Sequence, residues 1–162
     1  MSVTAKPRKF LRPGDFYVGS QAVRAETLVG SCVTVCLYNA KQRYGVMNHF
    51  LLAHPAEGKA DDVGRYGATA ISYIISAAMN RDSDPTHYRA SVFGGAAVLK
   101  TDLADNHIGD ANVKVAIEML QRARIRVVHR EIGGTRGRRV TFDTETGETT
   151  CRFAGDIPHK QR

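Results

Sequence analysis

The stretch ETLVGSCVTVCLY, residues 26–38, decides how the rest of the chain is arranged. A small flexible pair, Gly30-Ser31, marks a turn within it. Residues 33–38 are almost all β-branched, apolar or aromatic, which predicts a buried strand. Cys32 lies at the joint between the turn and the strand, where a thiol can face a cleft. Cys36 lies deeper in the same strand, so we expect it to be packed in the core.

A second apolar run, GVMNHFLL at residues 45–52, follows after a short polar loop at residues 39–43. This pattern predicts two neighbouring strands joined by a hairpin loop, which puts Cys32 and His49 side by side. A thiol beside an imidazole is the minimal unit of thiolate catalysis, because the imidazole takes the proton and the thiolate attacks a carbonyl. Most free cysteines are inert packing, so these two residues alone do not establish a nucleophile.

Length and composition indicate a single globular domain. A chain of 162 residues can bury about 70% of its unfolded surface in one core. We expect a flexible basic arm at residues 1–13, one domain at residues 14–153 and a loose tail at residues 154–162. Three cysteines without paired spacing predict no disulfide framework and a reducing, cytoplasmic location. No apolar segment is long enough to predict membrane insertion.

The formal net charge of +7 is compatible with either nucleic acid or an acidic protein as a partner. Aromatic residues are few, and they do not alternate with basic residues in the way that stacks bases. The sequence therefore predicts that the protein does not bind nucleic acid. Nucleic-acid binding would show a steep salt dependence and no need for Cys32.

The order of elements, strands followed by a helix, a strand, a helix and more strands, predicts an α/β or α+β protein with helices against a mainly antiparallel sheet. Apolar residues at helical spacing predict helices over residues 68–79 and 108–123, with a loop at residues 100–107 between strand and helix. Gly94-Gly95 within a predicted strand indicates a bulge or the close approach of another backbone. A closing hairpin is predicted at residues 140–153.

Five parts of the chain, in order, resemble the chemotaxis receptor glutamine deamidase family, CheD. Two of them look like its active-site stretches, LVGSCVTVCL at residues 28–37 and NHFLL at residues 48–52. The three others look like its first helix start, its glycine-rich strand, and its second helix start with a late basic loop. They are Arg65-Tyr66-Gly67 with Ala70, Phe93-Gly94-Gly95-Ala96, and Ile108-Gly109 with Asn112 together with Gly133-Gly134 and Gly137-Arg138-Arg139.

The resemblance implies an α/β layered sandwich, with mainly antiparallel or mixed sheet layers and two main helices packed on one side. It implies a cytoplasmic hydrolase of bacterial chemotaxis that converts selected glutamines of methyl-accepting chemoreceptors to glutamate. The nucleophile carries over onto Cys32 and the general base and acid onto His49. The family's third residue, a Thr that orients the imidazole, matches Thr27, with Glu26 as the alternative register. Two departures are Ala53-His54 before Pro55 and Ala111 where an Arg is common.

The chemistry of amide hydrolysis fits these residues without a metal or an organic cofactor. Backbone N–H groups at Gly30, Ser31 and Cys32 can bind the oxyanion, each such donor contributing about 3 kcal/mol. A zinc site made by Cys32, Cys36 and His49 is disfavoured, because the Cys-x-x-x-Cys spacing on a strand spreads the sulfurs too far apart.

Arginines of the late basic loop are the predicted docking residues for the substrate or a partner, and they are Arg136, Arg138 and Arg139. The resemblance also implies binding to a CheC-type chemotaxis phosphatase. The alternative function is therefore a non-catalytic interaction module that binds the receptor or such a phosphatase.

Overall fold

The computed structural model describes residues 5–55, 62–98 and 103–155, with only the backbone of residues 103–106. This part of the chain forms nine strands, two helices and a short 3₁₀ helix at Pro85–His87. The strands are β1 (Arg8–Leu11), β2 (Phe16–Tyr17), β3 (Arg24–Val29), β4 (Val33–Asn39), β5 (Tyr44–Asn48), β6 (Tyr88–Gly94), β7 (Arg126–Ile132), β8 (Arg138–Asp143) and β9 (Thr149–Phe153). The helices are α1 (Gly67–Arg81) and α2 (Leu103–Arg122).

The strands form two sheets of mixed direction. The four-stranded sheet has the order β1-β3-β8-β9, and the five-stranded sheet has the order β2-β5-β4-β6-β7. The pairs β1–β3 and β6–β7 are parallel, and the other pairs are antiparallel. The predicted hairpin of β4 and β5 is present, with Cys36 opposite Met47. Strand β4 pairs on both edges and every one of its residues is buried, as its apolar sequence predicts.

Three layers bury two separate apolar cores. The helices pack on one face of the five-stranded sheet, where Leu37, Ile71, Ile74 and Leu120 are nearly inaccessible. The four-stranded sheet covers the other face, and the core between the two sheets includes Phe142. The predicted α/β layered sandwich, with mixed sheets and two main helices on one side, is confirmed. The predicted thiol and imidazole, Cys32 and His49, lie at the end of the sandwich where β3 leads into β4.

Helix α2 begins earlier than its apolar pattern predicts. That pattern places the start at Ile108 and a loop at residues 100–107, whereas the helix begins at Leu103. The prediction was wrong because helical periodicity reports only the turns that bury an apolar face. Residues 99–102, which include the start of the predicted loop, lie outside the described residues.

The predicted flexible arm is wrong for residues 8–11, which form β1 and pair in parallel with β3. The sequence of this strand lacks the apolar pattern of a buried strand, because it begins with two basic residues and only Leu11 of its four residues is buried. Lys6 precedes the strand and forms an ion pair with Asp143 of β8 at 2.8 Å. Residues 1–4 of the arm and residues 156–162 of the predicted tail lie outside the described residues. No helix in the described part is long and apolar enough to cross a membrane.

Candidate active site

Cys32 lies in the turn between β3 and β4, and its side chain is partly exposed. The segment after β6 holds this turn from one side. Gly95 N–H donates to the Cys32 carbonyl at 2.9 Å, and Ala96 N–H donates to the Gly30 carbonyl at 2.9 Å. Gly94 has a φ of +117°, and a Cβ there would lie 2.2 Å from the Cys32 carbonyl oxygen. The predicted close approach at this glycine pair is therefore confirmed.

His49 follows directly after β5 and is only 1% exposed. Beyond the β4–β5 ladder, an isolated β-bridge in the same register joins Val33 and Phe50, which exchange backbone hydrogen bonds of 3.2 and 3.0 Å. Continuing that register sets Cys32 opposite Leu51, so His49 is its diagonal neighbour. Alternation along each strand puts both side chains on the face that packs against the four-stranded sheet. The backbone thus brings the predicted thiol and imidazole to one side of the same strand pair.

Thr27 contacts His49 from the opposite sheet. Its Oγ1 lies 2.6 Å from His49 Nδ1 and donates a hydrogen bond of 2.6 Å to the Leu11 carbonyl. The hydroxyl has one proton, which goes to that carbonyl, so Oγ1 accepts from the Nδ1–H group. Neutral His49 is then unprotonated at Nε2. Glu26, the alternative position, instead binds Arg8 at 2.8 Å, so the structure brings Thr27 to the imidazole.

His49 Nε2 has no hydrogen-bond partner among the described residues, although it is buried. A buried nitrogen without a partner is unusual, because an unmade hydrogen bond in the interior costs about 1–3 kcal/mol. Together with the tautomer fixed by Thr27, this leaves the Nε2 lone pair available to accept a proton.

The segment between β1 and β2 holds the backbone of His49. Gly14 N–H donates to the His49 carbonyl at 2.8 Å, and His49 N–H donates to the Asp15 carbonyl at 3.0 Å. The Leu11 carbonyl also accepts a hydrogen bond from the Thr27 hydroxyl. Residues 11–15 therefore bind both Thr27, which contacts the imidazole, and the main chain of His49. This role is absent from the sequence-based prediction, which places residues 1–13 in a flexible arm. The signal was present as Leu11 followed by the Pro13-Gly14-Asp15 turn.

Burial disfavours charge on both the thiol and the imidazole. It raises the pKa of the Cys32 thiol, while the residue's own backbone N–H acts in the opposite direction. Burial lowers the pKa of His49 to about 4, with the Asp15 charge and the Leu11 carbonyl opposing the shift. At neutral pH the pair therefore rests as thiol and imidazole. The sequence predicts a sulfur ionised by the imidazole, whereas the environment favours proton transfer during attack.

The three peptide groups of the turn have fixed orientations. The carbonyls of Gly30 and Cys32 accept the bonds described above, and the Ser31 carbonyl accepts from the Asn112 side chain at 2.9 Å. The amides of Gly30, Ser31 and Cys32 donate to no other residue in the described part of the chain. These are the three donors that the sequence predicts for an oxyanion.

The three arginines of the predicted docking loop occupy different environments. Arg136 is exposed and lies over the ring of Phe153, 4.4 Å from its centroid. Arg139 is exposed opposite Leu28 on the outer face of the four-stranded sheet. Arg138 is only 6% exposed and donates to the Gly133 carbonyl at 2.9 Å. The Arg138 guanidinium therefore holds the loop and presents little surface to a partner, whereas Arg136 and Arg139 are exposed.

The other two cysteines lie apart from this arrangement. Cys36 is buried in the core between the sheets, and burial strongly raises the pKa of its thiol. Cys151 lies on the edge strand β9, where burial raises its pKa to about 11. Within residues 5–55, 62–98 and 103–155, no group of three or more His, Cys, Asp or Glu side chains could hold a metal ion.

The fold and the site define an α/β sandwich protein in which a Cys, a His and a Thr are gathered at one end of two facing sheets. The family model described as CheD chemotactic sensory transduction matches residues 51–153. The chain is 38% identical over 150 residues to the probable chemoreceptor glutamine deamidase CheD of Rhodospirillum rubrum, covering 93% of this chain and 84% of that protein.

Two further relatives support the same assignment. The probable chemoreceptor glutamine deamidase CheD 1 of Anaeromyxobacter dehalogenans is 35% identical over 143 residues, covering 88% of this chain and 82% of that protein. The probable chemoreceptor glutamine deamidase CheD of Trichlorobacter lovleyi is 37% identical over 139 residues, covering 85% of each. The chain belongs to the CheD family, as its resemblance predicted. The family-model match begins after Cys32 and His49, so the arrangement of those residues rests on the geometry above.

Proposed function

We propose that this protein is a chemoreceptor glutamine deamidase, which hydrolyses selected glutamine side chains of methyl-accepting chemoreceptors to glutamate. The observation that carries the proposal is the partly exposed Cys32 on the same strand face as His49, whose tautomer Thr27 fixes. The relatives named as probable chemoreceptor glutamine deamidases supply the substrate class.

In the first half of the reaction, Cys32 attacks the side-chain carbonyl carbon of the glutamine. The thiol proton moves to His49 Nε2 as the carbon–sulfur bond forms. The carbonyl becomes an oxyanion, which the backbone N–H groups of Ser31 and Cys32 stabilise. The carbon–nitrogen bond then breaks, and the proton on His49 passes to the leaving amide nitrogen, which departs as ammonia. The product of this half is a thioester on Cys32.

In the second half, water hydrolyses the thioester. His49, again neutral, takes a proton from the water as its oxygen attacks the thioester carbon. The tetrahedral intermediate breaks the carbon–sulfur bond, and His49 returns the proton to the Cys32 sulfur. The side chain leaves as glutamate. Because the same imidazole accepts and returns a proton in each half of the reaction, its orientation by Thr27 affects both halves.

Docking of the receptor uses the charge of the enzyme. The chain carries a net charge of +7, which favours association with an acidic receptor surface. Exposed Arg136 stacks on Phe153, and exposed Arg139 lies beside Leu28, so each cation has an apolar neighbour. A CheC-type phosphatase is the proposed regulatory partner. The three free cysteines suit a reducing compartment, and we place the reaction in the cytoplasm.

Incubating the protein with cytoplasmic fragments of chemoreceptors tests the proposed activity. Peptide mass spectrometry should find conversion of a few glutamines to glutamate, with release of ammonia, in the presence of the wild-type protein. The same fragments incubated alone give the spontaneous background. Binding of the fragments without conversion would contradict the proposed deamidase activity and favour a non-catalytic interaction module.

Replacing Thr27 by Val should lower kcat for deamidation by about 10- to 100-fold. The substitution keeps the side-chain shape and removes the acceptor of the His49 Nδ1–H group, a loss of roughly 1–3 kcal/mol for a buried hydrogen bond. Thr27→Ser keeps the hydroxyl and should stay within about threefold of wild type by the same argument. Steady-state kinetics on a receptor fragment measure both variants, and equal kcat values for Val and Ser would contradict the orienting role.

A further inference from the structure

Asn112 reaches the candidate active site from the helical layer. It lies in α2, and its side chain is fully buried. One turn earlier, Gly109 lets the helix approach the segment after β6, because a Cβ there would lie 2.4 Å from the Gly95 carbonyl oxygen. This close packing allows a side chain as short as Asn to reach the ends of the strands.

The Asn112 amide connects the two chain segments that carry the thiol and the imidazole. Its Nδ2 donates to the Ser31 carbonyl at 2.9 Å and to the Leu51 carbonyl at 2.8 Å. Both amide protons are therefore used. Ser31 precedes Cys32 directly, and Leu51 is two residues beyond His49. The isolated bridge between Val33 and Phe50 is the last backbone pairing between the two segments, so Asn112 joins them where this pairing has ended.

The bond to Ser31 also sets the direction of an amide. In a trans peptide, the N–H group of Cys32 points opposite to the carbonyl of Ser31. Because Asn112 holds that carbonyl toward α2, the Cys32 N–H is turned away from α2 and donates to no other residue in the described part. The remaining atom of the side chain, Asn112 Oδ1, is buried without a partner among the described residues.

We propose that Asn112 is a positioning residue that fixes the distance between the nucleophile and the base and orients the Cys32 amide for the oxyanion. The proposal rests on the proposed deamidase mechanism. Asn112 touches neither the sulfur nor the imidazole and acts through the Ser31 and Leu51 peptides. It should therefore affect the chemical step more than the binding of the receptor.

Asn112→Ala should lower kcat by about 10- to 100-fold and leave KM within about threefold, because two buried hydrogen bonds that act on the reacting geometry are lost. Asn112→Asp keeps the volume and leaves at most one donor, from a protonated carboxyl, so at least one of the two bonds is lost and its kcat should also fall although no cavity is made. A second readout is alkylation of Cys32 by iodoacetamide, followed on the Cys32 peptide by mass spectrometry. Its pH midpoint should rise in both variants, because a misaligned N–H stabilises the thiolate less.

Asn39→Ala is the matched control. Asn39 is also fully buried, accepts from Gln42 N–H at 2.7 Å and donates to Asp82 at 2.8 Å. It is the last residue of β4, at the opposite end of the strand from Cys32. It should lower the melting temperature while leaving the kcat of the folded protein and the alkylation midpoint at wild-type values. If Asn112→Ala behaved like this control, or if Asn112→Asp kept wild-type kcat, the positioning role would be overturned.

The two proposals fail in different ways. If the wild-type protein converts no receptor glutamine, the deamidase proposal is wrong, and the alkylation midpoint still reports whether Asn112 orients the Cys32 peptide. If wild-type activity depends on Cys32 but the Asn112 variants keep the wild-type kcat and alkylation midpoint, only the positioning proposal is wrong.

Discussion

Replacing Cys32 by Ala should reduce receptor deamidation by at least about 10⁴-fold, because no other group can form the thioester. The fold should survive, since the side chain is partly exposed and the turn is held by backbone bonds from Gly95 and Ala96. Release of ammonia and peptide mass spectrometry on a receptor fragment measure the loss. Hydroxylamine should trap the acylated wild-type protein as a hydroxamate of the substrate, and it should trap nothing with the variant.

Cys151→Ala provides the control for this experiment. Its thiol is also partly buried but lies on the edge strand β9, and no hydrogen bond joins it to His49 in the described part of the chain. We expect its activity to stay within about twofold of wild type, in the range of substitutions away from functional features. Equal conversion by wild type and Cys32→Ala would end the assignment of Cys32 as nucleophile.

Replacing His49 by Ala should lower kcat by on the order of 10² to 10⁴, the usual contribution of a positioned acid–base group. The variant also removes the partner of Thr27, so its unfolding must be measured to confirm that the loss belongs to the folded protein. Denaturant unfolding and steady-state kinetics together separate the two effects. Wild-type kcat in a folded variant would contradict the role of His49.

The wild-type pH profile tests the same residue without a substitution. His49 must be neutral to accept the thiol proton, and its pKa is lowered to about 4. The kcat/KM of the free enzyme should therefore hold as pH falls through the ordinary histidine pKa of 6.5 and decline only near pH 4. Asp15→Asn removes a charge that raises this pKa, so it should move the decline to lower pH. A decline centred near the ordinary histidine pKa would contradict the buried imidazole as the base.

Local pattern was enough for the parts of the site that lie within one stretch of chain. The turn at Gly30-Ser31, the buried strand after it and the hairpin to His49 follow from continuous apolar and β-branched runs and from turn residues over about two dozen positions. The close approach at Gly94-Gly95 also followed, because a glycine inside a strand pattern typically marks a bulge or a second backbone packed against it. The start of α2 did not follow, because its first turn lacks the apolar periodicity on which the prediction depended.

The sequence by itself determined an α/β or α+β class with helices against a sheet, and Cys32 and His49 as the candidate pair, because these depend on residue types at short spacing. The layered sandwich and the family followed from the resemblance of five stretches of the chain to CheD. Only the tertiary structure decided that Thr27 rather than Glu26 meets the imidazole, that residues 11–15 hold His49, and that Asn112 joins the two segments. Those contacts bring together residues 16 to 81 positions apart in the chain. Such pairs form because two sheets and a helix pack face to face, and no local periodicity specifies which side chains then meet.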